Sequence, residues 1–99
     1  MIDFMSNYTM TIDGKAVATS ETLDVINPAT AKPFATCPRA TKTELNAAVD
    51  AAAKAFVGWR ATPIEDRRAA MRKAGDLIMA NADAIASLFT KEQGRPAHL

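Results

Sequence analysis

Ninety-nine residues with 12 basic and 11 acidic side chains carry a net charge of +1, so no whole-molecule field recruits nucleic acid or an anionic membrane. Hydrophobic residues make up 48% of the chain, but much of that share is alanine, which favours helix and contributes little burial per side chain; a chain this short buries only about 60 to 65% of its unfolded surface, too little to enclose a large active-site cleft. A single cysteine, Cys37, excludes an internal disulfide and a thiolate-rich zinc site and points to a reducing, cytoplasmic compartment.

Residues 1–7 read as a flexible N-terminus, with no positively charged segment ahead of an apolar run, and nowhere do about eighteen apolar residues follow one another, so neither secretion nor membrane spanning is expected. From Tyr8 to Val17 polar and apolar residues alternate around Asp13-Gly14, a dipeptide that accepts the positive dihedrals of a two-residue hairpin turn. A second extended run, Thr22 to Asn27, is closed by Asn27-Pro28, because proline drives the preceding residue out of the α region. The segment Pro33 to Pro38 reads as a further short strand at an edge, since its two prolines donate no ladder hydrogen bond. Residues 8–38 are thus expected to form a small antiparallel ribbon.

Three helices are predicted over about 42–59, 63–80 and 82–93. Thr41-x-x-Glu44 is a capping box ahead of the first, whose apolar face carries Leu45, Ala48, Val49, Ala52, Phe56 and Trp59. Thr62-Pro63-Ile64-Glu65 repeats that logic with proline at the first helical position, and Ile64, Met71, Ala74 and Ile78 make the second stripe. Asn81 is the expected cap of the third helix, with Ile85, Leu88 and Phe89 as its stripe, and Gly94 followed by Pro96 stops it, leaving 94–99 as a C-terminal tail. The fold class is an α+β segment, ribbon then three amphipathic helices, all part of one incomplete domain.

Few residues are candidates for chemistry. Cys37 lies beside Pro38 on a short strand, with neither a base nor an electropositive pocket indicated, so a partly buried structural role is favoured over a nucleophile. His98, next to the last residue, is given no role. Arg60, Arg67, Arg68, Arg72 and Lys73 point in several directions around a helix without interleaved aromatics, the pattern of a solvated surface and not of a nucleic-acid patch. Arg67 is the exception, falling beside the Ile64 and Met71 face, where it calls for a carboxylate. Glu92 shares a face with Ile85 and Phe89 in the last turn of its helix, where the macrodipole disfavours an anion by about 0.3–1 kcal/mol and burial adds to the cost. It needs positive compensation, either from Arg67 or from a bound monovalent or hard cation. No glycine spacing approaches a nucleotide-binding loop.

The ordered set Ile12-Asp13-Gly14-Lys15, Val25-Ile26-Asn27-Pro28-Ala29-Thr30, Thr41-Lys42-Thr43-Glu44-Leu45, Phe56-Val57-Gly58-Trp59, Arg67-Arg68, Asp76-Leu77-Ile78 and Glu92-Gln93-Gly94-Arg95-Pro96 resembles the opening of the aldehyde dehydrogenase superfamily over nearly the whole chain. That resemblance implies a parent α/β enzyme that uses NAD+ or NADP+ to oxidise an aldehyde to a carboxylic acid and that assembles as a homo-oligomer. It further implies that the cysteine nucleophile, oxyanion donors, activating glutamate and dinucleotide-binding elements lie beyond Leu99, so residues 1–99 serve as scaffold, partnered by the rest of the chain and inactive alone. A structural Na+ or K+ held by the backbone carbonyls of Val25 and Ile26 together with Glu92 is implied as well, with part of the shell supplied from beyond Leu99.

Two positions depart from the family pattern: Ala31, where glycine often stands, and Gly75, inside a helix where alanine is more usual. Each is expected to cost on the order of 1 kcal/mol. The rival readings are an independent helical interaction module with exposed apolar faces and, far behind it, a nucleic-acid binder.

Overall fold

The computed structural model describes residues 7–96 and 98; the expected flexible N-terminus falls, but for Asn7, outside the described residues. Four strands precede three helices: β1 Met10–Ile12, β2 Lys15–Val17, β3 Thr22–Asn27, β4 Lys32–Pro38, α1 Lys42–Ala61, α2 Ile64–Ala80 and α3 Ala82–Gln93.

The strands pair as two separate antiparallel hairpins, β1 with β2 and β3 with β4, instead of joining in one ribbon. Asp13 (φ 54°) and Gly14 (φ 72°) both take the left-handed conformation that closes the first hairpin. The two pairs part because each has a different helix to cover: β1 packs against α1, and β3 packs against α3. Between them the Thr19 hydroxyl donates to the Glu21 carbonyl (2.6 Å), bending the connection. In the second hairpin Val25 faces Ala35 while Ile26 faces Pro33, so Phe34 is an extra residue with no cross-strand partner. This bulge interrupts the alternation of β4 and turns Phe34 toward the side already occupied by its neighbour.

The Thr41-Glu44 capping box of α1 forms as the spacing predicts. Thr41 Oγ1 accepts from the Thr43 N–H (3.3 Å), the Thr41 N–H donates to Glu44 Oε2 (2.9 Å), and the Thr41 hydroxyl donates to the same carboxylate oxygen. The other two expected caps are not made. Helix α2 starts at Ile64 after Pro63, with no side-chain cap; Thr62 instead closes the preceding helix, donating its hydroxyl to the Gly58 carbonyl at 2.9 Å. Asn81 likewise turns backward, its amide donating to the Leu77 carbonyl (2.8 Å) and leaving the start of α3 without a side-chain acceptor. In both places the orphan carbonyls at the end of one helix capture a side chain that could have capped the next.

No described residue is fully buried. Alanines, not the large residues of the stripe, meet the first hairpin: Ala48 and Ala51 are half-buried under its turn. Phe56 stays 56% exposed, with the Arg60 guanidinium 5.8 Å above its ring, and every residue of α2 from 68 to 80 is exposed. The radius of gyration is 16.6 Å, against about 13 Å for a compact domain of this length.

The hydrogen bonds from the Thr41 side chain and backbone hold the Glu44 carboxyl below its ordinary value of 4.5. A depressed carboxyl contributes stability that is present above its unfolded value and is lost as pH falls through the folded one. Helical circular dichroism of the chain is therefore expected to decline as pH drops below 4.5, and the decline should be smaller in a Thr41→Ala variant. An unchanged acid titration in that variant would show that the capping box does not govern it.

Candidate functional site

The second hairpin and the end of α3 are built to meet. Asn27 begins the turn between β3 and β4. Its side-chain oxygen accepts from the Ala29 N–H (2.9 Å), and its carbonyl accepts from the N–H groups of Thr30 (3.2 Å) and Ala31 (2.8 Å). Ala31 sits at φ 58°, so it does bear the left-handed strain anticipated for a non-glycine residue there.

At the other side of the junction Gly94 ends α3 at φ 73°, donating its N–H to the Thr90 carbonyl (2.8 Å). A Cβ on Gly94 would lie 2.8 Å from Cγ of Pro28. Glycine is required there twice over, for its dihedral and for the close approach of the proline ring.

This contact sets Glu92, two residues earlier, beside β3. A cavity of about 220 Å³ opens between them, lined by Val25, Phe34, Ala35 and Cys37 from the hairpin, Leu88 and Glu92 from α3, and Tyr8. The bulge explains why both Phe34 and Ala35 reach it. Of the three candidate ligand residues, Val25 and Glu92 are brought to this cavity, whereas Ile26, next along β3 and paired with Pro33, is not among its lining residues. Pro33, opposite Ile26, has no N–H to give, so the ladder lacks one donor beside that residue.

Two expectations about Glu92 are corrected. The residue is exposed, so the burial part of its anticipated penalty does not arise. Nor does Arg67 pair with it. Among the described residues the ion pair is Arg68–Glu65 at 2.5 Å, an exposed pair one helical turn long. Arg67 stands near the start of α2 against Trp59 and Met71, its Nε buried without an acceptor, while Glu92 stands at the far end of α3 on the sheet. Cys37 is half-buried in the apolar cavity, whose lining includes no cationic side chain. His98 is exposed, and no three His, Cys, Asp or Glu side chains cluster for a metal among the described residues. Sequence reasoning missed Phe34, Leu88 and Tyr8 as cavity residues; Pro33 was the one visible sign that the ladder is irregular there.

The profile of the Aldehyde dehydrogenase family matches residues 16–99. The chain belongs to the aldehyde dehydrogenase family. It is 40% identical over 91 residues to a probable aldehyde dehydrogenase from a Pseudomonas species, covering 92% of this chain and 19% of that protein. Similarity extends to a mitochondrial acylating methylmalonate-semialdehyde dehydrogenase of Arabidopsis thaliana, 46% identical over 77% of this chain and 12% of that one. A glutarate-semialdehyde dehydrogenase of Pseudomonas putida is 40% identical over 77% of this chain and 16% of its own length. The chain therefore spans less than a fifth of the curated relatives it matches and is a fragment of an aldehyde dehydrogenase; no helix among its described residues is long and apolar enough to cross a membrane.

The Gly94–Pro28 contact makes a direct prediction for this aldehyde dehydrogenase segment. Gly94→Ala should cost about 1–2 kcal/mol from the left-handed dihedral alone, with the clash against Pro28 added, and should speed amide exchange in the last turns of α3. Adding Pro28→Ala should recover the clash part only. Unaltered exchange in Gly94→Ala would mean that α3 does not end against the turn.

Proposed function

We propose that residues 1–99 are the structural opening of an enzyme that oxidises an aldehyde to a carboxylic acid with NAD+ or NADP+, and that they take no part in the chemistry themselves. The observation that carries this reading is the set of large apolar side chains left open on α1 and α2, in a chain that matches only 12–19% of the relatives' lengths. Side chains such as Met71, 67% exposed, and Met79, 74% exposed, are stabilised when further polypeptide covers them. The partner is the remainder of the enzyme's own polypeptide, the intact enzyme is a homo-oligomer, and its compartment is the cytoplasm, in keeping with one free cysteine.

Residues 1–99 alone should give no aldehyde-dependent reduction of NAD+ or NADP+, whereas the polypeptide extended through the following coding sequence should be active. Turnover by the short chain would overturn the structural role. A cooperative thermal transition from its monomer would instead favour an independent interaction module.

We also propose that Glu92 and the backbone carbonyls of Val25 and Ile26 contribute to a monovalent cation site. The donor set is all oxygen, which suits a hard cation; Val25 and Glu92 line one cavity, and the sheet lacks a donor at Pro33 beside Ile26. Such a cation would neutralise Glu92 at the helix C-terminus. Replacing choline by Na+ or K+ at constant ionic strength should stabilise the intact enzyme, by about 2.7 kcal/mol at one hundred times the dissociation constant. Glu92→Gln should remove that gain; an equal gain in the variant would exclude the site.

A further inference from the structure

The corner where α1 turns into α2 carries a second surface with its own chemistry. A cavity of about 440 Å³ there is lined by Trp59, Ile64, Arg67, Arg68, Met71 and Arg72. Three of these side chains are apolar and three are cationic, and no carboxylate lines the cavity. Arg68 is already engaged by Glu65. Arg67 is half-buried, and its Nε is sealed with no acceptor. A buried guanidinium donor without an acceptor is rare in a finished fold, because water has been removed and nothing replaces it. The flanking Trp59 and Met71 are 45% and 67% exposed, so neither is enclosed by the fold around Arg67.

We infer that this corner is a docking site for a carboxylate-bearing segment that follows Leu99 in the same polypeptide, with Arg67 as its anchor; the inference rests on reading residues 1–99 as part of a longer aldehyde dehydrogenase. Guanidinium binds carboxylate through two parallel N–H···O bonds, and the Nε edge supplies one of the donors. Trp59, Ile64 and Met71 add an apolar rim, so the docked segment presents apolar side chains next to its acid. More than four fifths of each similar enzyme lies outside the matched stretch, which leaves ample polypeptide to provide it. A second copy of this surface is a poorer fit, since a two-fold interface would set Arg67 and Arg72 against the same cations. Nucleic acid is disfavoured by a net charge of +1.

Zero-length carbodiimide coupling in the intact enzyme carrying Arg67→Lys tests this, because the new amine forms an amide only with a carboxylate held beside it. The expected product is one cross-linked peptide joining position 67 to an Asp or Glu beyond Leu99 of the same polypeptide. Coupling only to Glu65, Asp66 or Glu92, coupling between two copies, or none at position 67 would overturn the inference. A second measurement needs no substitution. Arg67 should react with an arginine-directed dicarbonyl roughly tenfold more slowly in the intact enzyme than in residues 1–99 alone, the protection given by about 1.4 kcal/mol of pairing with a docked carboxylate. Equal rates in both also overturn it. If the coding sequence instead ends at Leu99, the fragment reading itself fails, and that outcome is separate from either measurement.

Discussion

Gly94 lies so close to the ring of Pro28 that no side chain fits between them, and much of the arrangement depends on that approach. It joins the end of α3 to the Asn-Pro turn, so that the helix settles on the second hairpin and Glu92 stands beside β3. Both sides of the contact are locally determined: the turn by the three acceptor bonds of Asn27, the helix end by a left-handed glycine. A local rule on each side thus produces a tertiary contact between residues more than sixty positions apart.

Elsewhere such contacts are sparse. Ordering a residue costs about 1–2 kcal/mol of backbone entropy, and burying a large apolar side chain returns about 1.5–3 kcal/mol, but here no described residue is fully buried. Capping and helix hydrogen bonds hold α1 and α2 locally. The long apolar faces on these helices are left uncovered by anything within residues 7–96, which is what the proposed scaffold role rests on.

The element order was legible because its signals are short-range. Asp13-Gly14, Asn27-Pro28, the Thr41-Glu44 box and the glycine stop at Gly94 each act within about five residues, and each performs as its chemistry suggests. Thr62 and Asn81 were harder to read. Either could serve the helix before or the helix after, and the preceding carbonyls held them. Pro33 marked an irregular ladder, but nothing in a strand of this length announces that Phe34 is the residue that loses its partner. Val25 and Glu92 meeting in one cavity could be reached only through the family resemblance, and Arg67, which does lie beside Ile64 and Met71, was assigned the wrong partner because helical periodicity specifies a face without specifying what lies opposite it.

Sequence alone therefore determined the family, the α+β character and the stops and starts of the elements, all of which follow from bonding between near neighbours. The tertiary structure decided that the strands separate into two hairpins, that alanines and not the large residues meet the first of them, and that Arg67 and Glu92 line different cavities. Those outcomes depend on which surfaces compete for one another in space, and a linear pattern of apolar and polar residues carries no distance information beyond a turn or two of helix.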